Sequence, residues 1–363
     1  MSRPNTVIIG GGHNALVCAF YLARSGNSVT ILERRDIVGG AAVTEEFHPG
    51  FRNSTASYTV SLLHPTVISD MQLASHGLRI IERKVNNYLP FPDGSSLNCH
   101  ADLELMRAEV NKFSVSDADN LKTYYDDLDS IVPVIKDIMI QAPPVLDHSL
   151  ISDLLPMLKL SRKFSGLSQR RRRLLLKLFS ISAEEFLDEY FESDAVKAWL
   201  GFDAIVGHYA SPNSSGSAYV LLHHVLGEVN GKAGLWGHAV GGMGAITTSM
   251  RQACEDLGVR IRTAAPVTSI KVNGRKATSV TTADGEIIPA ELVVSGVNPK
   301  ILYLELLPVE CLQDDTLAHF ESYKCKSGTF RMNVALDTLP QFTASQTVVS
   351  GAASIYSQRQ SKK

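Results

Sequence analysis

The chain has 363 residues, too many for one ordinary core, so two domains are expected. Its 44% hydrophobic and 20% charged content is that of a globular protein and excludes a disordered or fibrous one. A net charge of −2 gives no whole-molecule field that would draw in nucleic acid or an acidic membrane.

The first predicted strand, Thr6-Val7-Ile8-Ile9, is β-branched and apolar and opens directly into Gly10-Gly11-Gly12-His13-Asn14-Ala15. A helix follows, and then a second strand-like run, Ser28-Val29-Thr30-Ile31-Leu32, which ends on Glu33. Strand, Gly-x-Gly-x-x-Ala, helix, strand, acid is the order of a βαβ unit that binds a dinucleotide. Gly10 permits the tight turn, Gly12 lets backbone approach a pyrophosphate, and Ala15 lets the helix pack close to the strand. The N–H groups at the helix start face the phosphates, with the positive end of the helix dipole behind them. His13, at the helix start, is expected to shape that turn rather than to transfer a proton, and Asn14 beside it counts with the cofactor-binding residues. Glu33 lies 23 residues past Gly10, near the roughly 20 that place a carboxylate on a ribose 2′-OH. A carboxylate there also repels a 2′-phosphate.

Beyond Glu33 come Arg34, Arg35 and a second glycine pair, Gly39-Gly40, followed by Ala41. A glycine pair can form a second backbone nest against a pyrophosphate, which favours a flavin dinucleotide over a nicotinamide one. Arg79 to Arg83 and Ser96 to His100 read as short strands, with a turn at Pro90-Phe91-Pro92-Asp93-Gly94 between them. They predict a hairpin. From Ala101 to about Leu235 the pattern is helical. Leu121 to Ile140 has apolar residues at helical spacing, with Pro133 expected to split it. Leu150 to Leu187 is a second helical region, broken near Pro156.

Within that region, Lys159, Arg162, Lys163, Arg170 to Arg173 and Lys177 interleave with Leu158, Leu160, Phe164, Leu167, Leu174 to Leu176, Leu178 and Phe179. Two readings of residues 158–179 stand. One is a peripheral contact with an anionic membrane surface. The other is a solvated basic face neutralised by Glu184, Glu185 and Asp188. No aromatic platform or known nucleic-acid fold accompanies the run, so nucleic acid is not expected as a partner.

Near Leu235 the chain returns to the nucleotide-binding unit. Gly241-Gly242-Met243-Gly244 leads into a helix over 245–257, with Gly258 as its stop. Strands are predicted at Val259 to Arg262, at Val267 to Val272 and at Leu292 to Gly296, with turns at Asn273-Gly274 and Ala283-Asp284-Gly285. The adjacent His223-His224 lack metal-ligand spacing, and no metal is expected. No Gly-x-Ser-x-Gly elbow exists for an acyl-transfer nucleophile. The five cysteines (18, 99, 254, 311 and 325) form no Cys-x-x-Cys pair, so neither a dithiol relay nor a zinc site is expected. Reduced thiols point to an intracellular setting.

The Gly10–Ala15 turn, the acid at 33 and above all Gly39-Gly-Ala-Ala-Val-Thr-Glu-Glu-Phe47 resemble the FAD-dependent oxidoreductases of the phytoene desaturase and carotenoid isomerase type. These lie within the broader amine-oxidase-like flavoproteins. Ser217-Ala-Tyr-Val-Leu-Leu-His-His224 and Gly241-Gly-Met-Gly244 carry the likeness further, and it runs from residue 5 to about residue 342. The resemblance implies an α/β protein: a discontinuous Rossmann-like FAD-binding domain (1–75 and 235–300) with an inserted mixed β-sheet and helical substrate domain (76–234 and 301–342). Residues 343–363 would form a poorly ordered tail.

The resemblance further implies FAD as cofactor and an apolar, polyene or lipid-like small molecule as substrate. Gly241, Gly242 and Met243 would lie near the substrate face of the flavin, unless Gly241-Gly242 is a plain linker, and the backbone of Val267 would hold the adenine. The flavin carries the redox step, so no catalytic residue is assigned. A non-catalytic interaction protein that keeps the fold, and an NAD-dependent dehydrogenase, are the alternative readings.

Members of that family continue past this C-terminus and end in a Pro-Gly-Gly-Gly-Val type flavin motif that nothing here matches. The expectation is a fragment or a truncated chain, with flavin retention in question. No targeting segment precedes the first strand and no apolar run reaches the roughly 18 residues of a membrane span, so a cytoplasmic location is expected. Eukaryotic relatives carry an N-terminal extension, and for such a source the expectation becomes the mitochondrial matrix or inner-membrane face.

Overall fold

The computed structural model describes residues 4–141, 161–162, 164–338, 341–344 and 354–355. The chain divides into two compact units. The first comprises residues 1–81, 237–325 and 331–335, and the second residues 82–236, 326–330 and 336–363.

The first unit is built on a four-stranded parallel sheet in the order Arg260–Arg262, Ser28–Leu32, Asn5–Ile9, Leu292–Ser295. Alternation along the strands sorts the side chains to two faces. Ile8, Val29 and Ile31 join one core with Leu16, Ala19 and Phe20 of the helix His13–Arg24 and with Ile246, Met250 and Ala253 of the helix Gly244–Asp256. Val7, Ile9 and Leu32 join the opposite core with Ile270, Val280 and Leu306. Ile270 and Val280 come from an antiparallel sheet of Val267–Asn273, Lys276–Thr282 and Ile287–Pro289. Gly258, at φ +81, ends the second helix as expected.

Residues 301–325 differ from their expected place. They belong to the first unit, because Leu302, Leu306 and Leu307 pack into the core of Val7, Ile9 and Ile270. The tail expected over 343–363 lies almost wholly outside the described residues.

The second unit holds a hairpin and a helical bundle. The hairpin pairs Asn87–Pro90 with Ser96–Cys99. This corrects the expected pairing of 79–83 with 96–100: the strand Ile80–Glu82 takes Gly237–Ala239 as its partner instead. Pro133 splits the long helical segment as expected, into Val115–Asp129 and Val132–Met139, with the proline in the first turn of the latter. The helices Gln169–Ser180, Ala183–Asp188 and Asp194–Phe202 follow. Their core gathers Met106, Leu121, Tyr124, Leu178, Phe186, Phe191 and Trp199. Buried Asp117 fastens two of them. Its carboxylate accepts from the backbone N–H of Glu192 and of Ser193, both at 2.9 Å, at the start of Asp194–Phe202, where Ser193 makes no side-chain cap of its own. The break near Pro156 and residues 158–160 and 163 of the basic segment lie outside the described residues.

Candidate functional site

The turn from the first strand into the first helix is held by backbone and by one carboxylate. Gly10 sits at φ +92, in the left-handed region that favours glycine. Gly11 donates its N–H to Glu33 Oε2 at 2.6 Å, and Arg35 donates its N–H to Glu33 Oε1 at 2.9 Å. Glu33 is 7% exposed, so both bonds form largely out of water. Each oxygen keeps a lone pair with which to accept a hydroxyl. Gly12 caps the helix without a side-chain hydrogen bond, and the first turn carries no acid. Its N–H groups are therefore left for an outside acceptor.

The second glycine pair is stitched to this turn by main chain alone. Gly39 donates its N–H to the Gly11 carbonyl at 2.8 Å, and Gly12 and Gly39 form an isolated parallel bridge. Gly40 is at φ +58, and a Cβ there would stand 3.1 Å from Gly12 Cα. A Cβ on Gly12 itself would meet only Gly40 Cα, at 3.9 Å, so space lies open on that side of the turn. His13 adds a buried Nδ1 without a hydrogen-bond partner. Burial pushes its imidazole below the usual histidine value, with the Gly39 backbone opposing.

The Gly241–Gly244 turn docks on the segment that follows the second glycine pair. Met243 donates its N–H to Ser54 Oγ at 3.0 Å, and Gly244 donates to Thr44 Oγ1 at 2.9 Å. Thr247 donates its hydroxyl to the Ala42 carbonyl at 3.0 Å. A Cβ on Gly242 would collide with Thr44 Oγ1, and one on Gly244 would lie 2.8 Å from Thr44 N. The approach therefore requires glycine at both places, which argues against the plain-linker reading.

Opposite the second strand, Ala265 donates to the Glu33 carbonyl at 2.8 Å and Ala264 to the Arg35 carbonyl at 2.7 Å. Two residues on, Val267 opens the strand Val267–Asn273 and pairs with Thr282. Arg35 forms an ion pair with Glu45, while Arg34, Asn14 and Ala41 are exposed. The Ala41 carbonyl accepts from the Ser57 N–H at 3.0 Å.

All the candidate site residues thus fall in the first unit. Gly10 to Gly12, Glu33, Arg35 and Gly39-Gly40 form one backbone-linked turn, whereas Asn14, Arg34 and Ala41 lie exposed at its edge. Gly241 to Met243 and Val267 reach it through Thr44, Ser54 and the Ala264-Ala265 pair. Sequence reasoning missed Thr44, Ser54, Thr247 and Gly296, where a Cβ would stand 2.9 Å from Ala15 Cβ. Only Gly296 left a signal, as the small residue that ends an apolar run. His223 and His224 start a short helix, and their side chains lie outside the described residues.

The parts fit a dinucleotide. A free helix N-terminus and a side-chain-free approach at Gly12 suit a pyrophosphate, and Glu33 suits a ribose. The Gly39-Gly40 turn, stitched to the first by backbone, adds a second phosphate-facing surface.

Comparison with known proteins follows the same lines. A family model described as flavin containing amine oxidoreductase matches residues 16–329. The mouse pyridine nucleotide-disulfide oxidoreductase domain-containing protein 2 is 35% identical over 359 residues, covering 94% of this chain and 61% of the relative. Phytoene desaturase of Cercospora nicotianae is 25% identical over 319 residues, covering 85% of this chain and 47% of the relative. Among solved structures, putrescine oxidase bound to putrescine superposes with a TM-score of 0.56 at 18% identity, covering 88% of this chain and 63% of that one. The chain therefore spans less than two thirds of the length of these relatives. Among the described residues, no helix is long and apolar enough to cross a membrane.

Proposed function

The chain belongs to the flavin-containing amine oxidoreductase family, and from that premise we propose that it binds FAD and serves oxidation or reduction of an apolar small molecule. The observation that carries the cofactor is the backbone stitch between the two glycine turns, with room for a Cβ left at Gly12 and Glu33 bonded to the same turn. A nicotinamide site has no need of the second turn.

FAD, when bound, supplies a ring that accepts or returns a hydride. The chain's own residues then have positioning roles. Gly12 and the first helix turn would hold the pyrophosphate, with Gly39-Gly40, already bonded to that turn, offering further backbone to it. Glu33 holds the ribose while keeping the Gly11 turn in shape. Val267, fixed beside Ala264-Ala265, presents backbone to the adenine. Gly241 to Met243, held by Thr44 and Ser54, would lie toward the flavin ring, as the family resemblance implies. The apolar, polyene or lipid-like nature of the substrate is supported by the likeness to a phytoene desaturase over 85% of the chain.

The test is an absorbance spectrum of the purified chain after incubation with FAD and desalting. Flavin bands at a stoichiometric level are expected, and a screen of polyenes and amines as substrates follows. Isothermal titration provides the opposing outcome: tight binding of NAD with none of FAD overturns the reading.

A further inference from the structure

The helix Gln169–Ser180 in the second unit carries four consecutive arginines and no acid of its own. Arg170 pairs with Asp127 at 2.6 Å and Lys177 with Glu189 at 2.6 Å, both on one flank. The acids expected to neutralise the rest do not. Glu185 is taken by the capping box with Ser182, Asp188 pairs with Lys197, and Glu184 makes no ion pair among the described residues. Arg171, Arg172 and Arg173 are exposed and have no acidic partner among the described residues.

The helix buries Leu174 and Leu178. At 100° per residue, the opposite face carries Arg172, Arg173, Leu176 and Phe179. Leu176 is 72% exposed and Phe179 is 56% exposed. Phe179 stacks on Tyr219, with ring centroids 5.6 Å apart and planes 8° apart, and His208 packs edge-on against the same tyrosine. Tyr219 is itself 41% exposed. A leucine and an aromatic pair thus stand clear of the core, with Arg173 and Arg172 one turn away, the latter giving its Nε to the Leu167 carbonyl at 3.1 Å and keeping its terminal nitrogens without an acidic partner among the described residues.

We propose that this face docks on an anionic lipid bilayer, with Leu176, Phe179 and Tyr219 entering the interface and Arg172 and Arg173 reaching lipid phosphates. The charge complementarity is local: a net charge of −2 over the chain would not produce it. Long arginine side chains keep their charge at headgroup level while their stems cover apolar surface, and tyrosine suits the same depth. Nucleic acid would find charge here but no use for Leu176. The inference stands apart from the flavin reading, since every residue in it lies in the second unit.

The experiment is co-sedimentation of the full chain with vesicles of phosphatidylcholine, with and without phosphatidylglycerol, at two salt concentrations. Binding to the anionic vesicles only, weakened by salt, is expected. Neutralising both arginines (R172Q/R173Q) should weaken partitioning about 30-fold. The L176S/F179S variant should lose at least about tenfold while keeping the salt dependence. Both pairs are exposed, and circular dichroism melts should match the parent. Absence of binding to anionic vesicles overturns the proposal, as does equal binding to neutral ones or indifference to either variant. So does sedimentation velocity showing, without lipid, a dimer that L176S/F179S abolishes, because the face would then belong to a second copy.

Discussion

At the scale of single residues, two glycines of the site separate binding from folding. Gly12 has an ordinary φ of −70, and a Cβ there has room. Gly12→Val should therefore shift unfolding by less than about 0.5 kcal/mol while abolishing flavin retention, read as absorbance after desalting. Gly242 is at φ +81 with Thr44 Oγ1 in the way. Gly242→Ala should cost about 1–3 kcal/mol, measured by denaturant unfolding.

His13 gives the site a pH response. Burial holds its imidazole below the usual 6.5, so below that pH the unfolded chain binds a proton that the folded chain resists. The contribution of His13 to stability should be full above about pH 6.5, fall as the pH drops through the lowered value, and be lost below it. His13→Asn should flatten that slope in apo melts run across the window. The turn glycines and Glu33 were legible in the sequence because each is demanded locally. Thr44, Ser54 and Thr247 were not, since their partners lie 189 to 205 residues away and a hydroxyl pattern does not announce a distant N–H.

At the scale of elements, Asp117 does for the helix Asp194–Phe202 what a local cap would do. Asp117→Ala should cost about 2–3 kcal/mol, because two buried backbone donors lose a charged acceptor, and chemical denaturation followed by circular dichroism measures it. The strands and helices of the nucleotide unit were readable from period and punctuation, and so was the split at Pro133. The hairpin was misread for a physical reason. Its first strand, Asn87-Tyr88-Leu89-Pro90, begins and ends on residues that strands disfavour, so the more β-like run at 79–83 drew the assignment. The turn itself was placed correctly, and Phe91 donates across it to the Ser95 carbonyl at 2.9 Å.

At the scale of the whole molecule, each unit can be watched alone. Both tryptophans, Trp199 and Trp236, lie in the second unit. Tryptophan fluorescence should therefore report that unit's unfolding, with flavin release reporting the first. Asp117→Ala should lower the midpoint of the fluorescence transition, and Gly242→Ala should lower the midpoint of flavin release. The two-unit layout was legible from length and from the return at 235. The place of 301–325 was not, because its leucines could serve either core and only packing against Ile270 decides.

The bond from Gly39 to the Gly11 carbonyl has a kinetic consequence. That bond is made within the chain and needs no ligand atom, so the expected encounter with a dinucleotide has no loop to order. Flavin uptake by the apo chain, followed in stopped flow by fluorescence quenching, should then be a single exponential whose rate rises linearly with flavin concentration, without a slow plateau. Variants of the cradle should differ in how fast flavin leaves rather than in how fast it enters.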